Sequence, residues 1–112
     1  MKGKKIDELQ FSCMVAAVGV DEIQRLLDKY DQDAKTMVTQ LREGILSGDM
    51  ATCNRLIHAL KGVSSNFGFS SVNYSLDQLR KITSRVDADI SSLEFEIEGS
   101  IRKAEEIVFS FK

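Results

Sequence analysis

The chain contains a single histidine, His58, in the stretch LIHALKGVSSNFGF, residues 56–69. Lys61 and Gly62 follow it at one helical turn, and Ser65 at two. The ordinary imidazole pKa of about 6.5 leaves much of an exposed ring unprotonated near neutral pH, and histidine is a known nucleophile in covalent catalysis. Phosphoryl transfer asks chiefly for in-line approach and charge neutralisation. One open imidazole with an ammonium on the same face meets both demands. Acyl transfer and metal-assisted hydrolysis fit less well, because there is no second histidine, no evident catalytic cysteine and no glycine-rich nucleotide loop.

The chemistry needs the ring to stand clear of the core, and helical geometry says that it does. With His58 at zero and roughly 100° per residue, Met50, Cys53, Leu56, Ile57, Leu60, Val63 and Phe67 fall between about 140° and 280°. Ser64 is the one polar residue in that apolar arc. Ala51, Gly62, Arg55 and Asn66 lie within roughly 80° of His58 on one side, and Ser65, Asn54 and Lys61 within roughly 60° on the other. Small side chains therefore surround the ring. Glycine at 62 costs a helix about 1 kcal/mol relative to alanine, and no turn is required there. Clearance for something large that approaches His58 explains it.

The elements that carry this face are all helical in period. A first helix is expected from about Ile6 to Val18, with Ile6, Leu9, Cys13 and Ala16 inward. A long helix follows to about Leu46, capped by Asp21, with the stripe Ile23, Leu26, Tyr30, Met37, Leu41 and Ile45. SGD at 47–49 ends it and caps the histidine helix through Asp49. That helix runs to about Phe67, with Gly68 as its left-handed stop. A fourth helix is expected over about Ser71 to Ser84, with Val72, Leu76, Leu79 and Ile82 inward. A last helix, capped by Asp87 or Asp89, reaches about Phe109 through Ile90, Leu93, Ile97, Ile101, Ala104 and Val108. Short connections favour antiparallel neighbours. The expected fold is all-α, an up-down-up-down four-helix bundle with a short additional N-terminal helix, forming one domain over residues 1–112.

Composition narrows the function. There are 15 basic and 17 acidic residues, a net charge of −2, which argues against a nucleic-acid partner. No apolar run is long enough to span a membrane. MKGKKIDELQ does not read as a secretion signal. Cys13 and Cys53, distant in sequence and both at apolar helical positions, read as small core residues in a reducing, cytoplasmic setting.

His58 to Gly68, HALKGVSSNFG, resembles the signature of histidine-containing phosphotransfer (HPt) domains, the intermediate carriers of multistep His-Asp phosphorelays. The family pattern places a histidine, any residue, an aliphatic, Lys-Gly, small residues, a hydrophobic and a glycine. Here those positions are His58, Leu60, Lys61, Gly62, Ser64 and Ser65, Phe67 and Gly68. LSGDMATCNRLIHALKG also looks like the family's approach to its histidine, and SLDQLRKI occupies the place of its next helix. The resemblance implies that His58 accepts a phosphoryl group on its distal ring nitrogen from a receiver-domain aspartate and passes it to another receiver. It implies that Lys61 screens the phosphate, that Gly62 leaves room for the receiver's loops, and that Ser65 either hydrogen-bonds the phosphoryl oxygens or simply stays small. No cofactor is implied for this chain, since magnesium and the acidic pocket belong to the receiver. Many relatives carry Gln or Glu on the fourth helix against the histidine. Arg80 stands at the equivalent place here, with Gln78 nearby, and either supports the phosphorylated ring or faces solvent.

The resemblance further implies response-regulator receivers and a hybrid sensor histidine kinase as partners. The chain would be a monomer, a phosphocarrier rather than an enzyme. The expected docking surface joins Phe11, Met14, Val15 and Val18 of the first helix to Ala51, Arg55, Ala59 and Asn66 around the ring. The main competing reading is a helical adaptor without phosphotransfer, which needs an apolar seam on two faces of one helix. A sensor-kinase dimerisation pair would need His-Glu-x-x-Thr-Pro, and this chain has alanine after the histidine and no proline. A metal-binding bundle would need inward Glu and His where the stripes are aliphatic.

Overall fold

Aspartate and glycine set the boundaries of the helices. The computed structural model describes residues 5–79 and 86–112. Within them lie α1 Glu8–Val18, α2 Val20–Ser47, α3 Met50–Asn66, α4 Ser70–Leu79 and α5 Val86–Ser110, with no strand among the described residues. Asp7 caps α1 by accepting from the Gln10 amide at 3.0 Å, and Asp49 caps α3 by accepting from the Thr52 amide at 3.1 Å. Each occupies an amide that the first helical turn leaves without a partner. The Thr52 hydroxyl also donates to Asp49 at 2.6 Å. Together the Thr52 hydrogen bonds hold the Asp49 carboxyl below the usual carboxylate range. Gly48 ends α2 at φ 76°, in the left-handed region that glycine enters without strain.

Several boundaries differ from the sequence expectation. Gly19 sits between α1 and α2 and serves both, so Asp21 lies inside the first turn of α2 rather than capping it. There its charge still favours the helix dipole. Asp87 and Asp89 likewise lie within the first turn of α5. The expected continuation of α4 through Ile82 to Ser84 falls outside the described residues.

The inward face of α1 is the main correction. Phe11 and Val15 are buried, at 0% and 1% exposure, whereas Leu9 is 75% exposed and Cys13 and Ala16 are also on the surface. Both sides of this short helix carry apolar residues, so periodicity does not choose between them. Phe11 offers the larger apolar area. With Asp7 as the cap, Ile6 and Phe11 also occupy the positions of a hydrophobic staple, and both join the core. Phe11 and Val15 are therefore core residues, not docking residues, and Cys13 is not a core cysteine.

The remaining stripes fold in part as their spacing predicts: on α2 the buried positions also include Leu27, Ala34 and Val38, which the expected stripe left out, and Met50, expected on the apolar arc of α3, is 58% exposed. Ile23, Tyr30 and Leu41 of α2, Val72, Leu76 and Leu79 of α4, and Ile90, Leu93, Ile97, Ala104 and Val108 of α5 are buried. Leu26, Met37, Ile45 and Ile101 pack partly buried against them. Helix α2 contacts α3 and α5, and α4 contacts the same two, which closes a ring of four; α1 lies against α2 and α5. At one end of the α2–α3 contact, a Cβ on Gly44 would stand 3.0 Å from Cys53 Sγ. Burial, assisted by the Asp49 charge, pushes the Cys53 thiol pKa up.

The rings of Tyr30, Phe67 and Phe69 meet with centroids 5.1 to 5.4 Å apart. Tyr30 packs edge-on against the other two, an arrangement that aromatic quadrupoles favour. The Tyr30 hydroxyl shares a 2.8 Å hydrogen bond with Ser64 Oγ in the interior. Burial pushes the Tyr30 phenol up to about 12, although Ser64 opposes the shift. Ser64, the polar exception in the apolar arc of α3, is fully buried and thereby satisfied. Urea denaturation should show Tyr30→Phe and Ser64→Ala each less stable by about 1–3 kcal/mol, the cost of leaving a buried hydroxyl unpaired. The double variant should lose less than the sum of the two.

Candidate functional site

Burial of Cys53, Leu56, Ile57, Leu60, Ser64 and Phe67 sets the rotation of α3 about its axis. The opposite face is then forced outward. His58 is exposed, and so are Ala51, Asn54, Arg55, Ala59, Gly62, Ser65 and Asn66. These are the residues expected around the ring. Asn54, Ile57, His58, Lys61, Gly62 and Ser65 line one open surface depression. Among the described residues, no hydrogen bond or ion pair engages His58. A Cβ built on Gly62 meets nothing within 4 Å. Packing among the described residues therefore does not require glycine there.

The C-terminal end of α3 is fixed by its neighbours. Gly68 adopts φ 75°, and a Cβ there would come within 3.2 Å of Asp7 and Gln10. The Asp7 amide donates to the Gly68 carbonyl at 2.7 Å, and the Ser71 amide donates to the Lys5 carbonyl at 3.2 Å. The Gln10 side chain donates to the Ser65 carbonyl at 2.8 Å. That carbonyl also accepts from the Gly68 amide at 3.0 Å, so both of its lone pairs are engaged at the end of the helix. Helix α1 steadies the site from behind.

Two contacts from α4 were missed by sequence reasoning. The Lys61 ammonium is not idle: it donates to Asp77 Oδ1 at 2.7 Å. Asn73 Nδ2 donates to Ser65 Oγ at 2.8 Å, while Asn73 Oδ1 is buried without a partner among the described residues. The Asn73 bond uses an acceptor position of Ser65 and leaves its O–H free to donate outward. Asn73 and Asp77 are one turn apart on α4, as Ser65 and Lys61 are on α3, so the two pairs meet as rungs between the helices. The available signal was a polar pair at i, i+4 beside the buried stripe Val72, Leu76, Leu79. Gln78 is half-buried on α4, and Arg80 lies outside the described residues.

Of the expected α1 docking residues, Met14 is half-buried and Val18 is 45% exposed. Met14 lines a second depression with Leu26, Tyr30, Val63, Asn66 and Phe67, flanked by Lys29 and Asp33. Through Val63 and Asn66 this mostly apolar surface adjoins the face that carries His58. Among the described residues, no three His, Cys, Asp or Glu side chains are grouped to hold a metal ion. None of the described helices is long and apolar enough to cross a membrane.

The described residues are helical and present one exposed histidine on a face of small and polar side chains. The Hpt domain model matches residues 16–106, and the chain belongs to that family. Its members are phosphocarriers rather than catalysts, and membership gives the chain a histidine phosphotransfer role in phosphorelays with receiver domains as partners. No curated protein and no solved structure matches the chain significantly.

If Gly62 serves clearance, its replacement by alanine carries no steric penalty within the chain. Gly62→Ala should raise unfolding free energy by roughly 0.5–1 kcal/mol, the helix-propensity gain, as read by urea denaturation.

Proposed function

We propose that His58 is the phosphorylated residue and that the chain relays phosphoryl groups between receiver domains. A lone pair of its distal ring nitrogen attacks the phosphorus of a receiver's aspartyl phosphate. The new P–N bond forms as the P–O bond breaks, and the aspartate leaves as a carboxylate. The reverse step delivers the group to a second receiver. The supporting observation is the unobstructed space beside His58 at Gly62, which admits the loops of a large partner. Lys61 neutralises the transferred charge and Ser65 donates its O–H to a phosphoryl oxygen. Magnesium and the acidic pocket come from the receiver.

The receiver docks on the mostly apolar surface at Met14, Leu26, Val63 and Phe67 and covers Ala51, Arg55, Ala59 and Asn66 around the ring, with Val18 at the rim. Because donor and acceptor share this surface, each complex is small and short-lived. Helices α2 to α5 run alternately up and down, and residues 1–112 form a single domain that acts as a monomer in the cytoplasm. A hybrid sensor histidine kinase supplies the phosphoryl group at the head of the relay.

Incubation with a phosphorylated receiver should label the chain with an acid-labile, base-stable phosphate, and His58→Gln should abolish the label. Gly62→Glu should leave the fold intact but slow transfer by at least about tenfold, which a clash or misplacement at a transfer site readily exceeds. Label on a chain without His58, or unimpaired transfer by Gly62→Glu, would overturn this reading.

A further inference from the structure

The Lys61–Asp77 contact bears on how tightly the site holds its cargo. Lys61 lines the depression that contains His58, yet its ammonium sits 2.7 Å from Asp77 Oδ1, reached from α4. Both side chains are substantially exposed, at 37% and 43%. An ion pair in such a place is held weakly, because water and salt screen it. The lysine is therefore detained rather than locked. A phosphoryl group brings roughly two negative charges and three acceptor oxygens, against a single charge on the carboxylate.

We propose that Asp77 is a positioning residue that competes with the phosphoryl group for Lys61. In the empty carrier Asp77 draws the ammonium across to α4. When His58 is charged, Lys61 swings to the phosphoryl oxygens and Asp77 is left to solvent. On departure of the group, Asp77 takes the lysine back. The exchange weakens the carrier's grip on its cargo, which suits a protein that must give the group away. This proposal rests on His58 being the phosphorylated residue.

Phosphoramidate tests it without any partner protein. The His58 ring nitrogen forms a P–N bond to phosphorus while the P–N bond of phosphoramidate breaks and ammonia leaves. The rate of His58 phosphorylation would be followed by phosphorus NMR on the full chain. Asp77→Asn should raise the rate about two- to fivefold, the range that the net strength of an exposed ion pair allows. Asp77→Glu, which keeps the carboxylate, should stay at the wild-type rate. In a Lys61→Ala background, Asp77→Asn should have a distinctly smaller effect, since no lysine remains to be released. An unchanged or lower rate for Asp77→Asn, or an equal gain with and without Lys61, would overturn the proposal. If His58 in the unaltered chain takes no phosphoryl group at all, the reading of the site falls and this proposal with it. If His58 is loaded and Asp77→Asn makes no difference, only this proposal falls.

Discussion

The rotational setting of α3 about its own axis is the constraint on which the site depends. Six residues of this helix and its C-cap, from Cys53 to Phe67, are buried. A turn of one residue would place His58 some 100° from its present direction. Burial of a large aliphatic side chain is worth about 1.5–3 kcal/mol, so rotation would expose several such side chains at once. The Tyr30–Ser64 hydrogen bond adds direction to that non-directional force. Apolar burial tolerates small slides, whereas a buried hydroxyl pair at 2.8 Å does not. His58 faces solvent because the opposite arc is held in the core.

Around that fixed helix the supporting parts are graded in strength. Backbone hydrogen bonds from the segment before α1 and the Gln10 side chain brace the α3–α4 turn. These contacts bring Lys5, Asp7 and Gln10 against Ser65, Gly68 and Ser71 across long stretches of sequence. Helix α4 contributes Asn73, which directs the Ser65 hydroxyl, and Asp77, which engages Lys61. The first set fixes the backbone. The second acts on side chains through partly exposed contacts. On the proposed function both are needed, since the histidine stays in place while the charges beside it rearrange with each loading.

Much of this was legible in the sequence, for identifiable reasons. The stripes of α2, α3 and α5 combine long helices with clear apolar spacing, and Asp49, Gly48 and Gly68 act through local geometry. The direction of His58 followed from period alone. Helix α1 was misread because Leu9, Cys13 and Ala16 on one side compete with Phe11 and Val15 on the other. The choice between them depends on what α2 and α5 present, which no local pattern contains. The caps of α2 and α5 were misplaced because Asp21, Asp87 and Asp89 serve as well inside a first turn as before it. Asp77 and Asn73 escaped notice because each is an ordinary polar residue until the α3–α4 pairing sets it against Lys61 or Ser65. Membership of the Hpt family rests on the match over residues 16–106. The roles of individual side chains rest on the physical arrangement around His58.

A phosphoryl carrier of this design keeps one imidazole nitrogen free while the bundle beneath it is unaffected by loading. Long-range proton–nitrogen NMR on the nitrogen-15-labelled chain, before and after exposure to a phosphorylated receiver, observes that nitrogen directly. The account predicts that the distal ring nitrogen of His58 shifts and gains a coupling to phosphorus, with the backbone amides of the buried arc of α3 unmoved. A His58 ring unchanged after the receiver has lost its phosphoryl group to this chain, or a spectrum in which loading rearranges the α3 core, would contradict it.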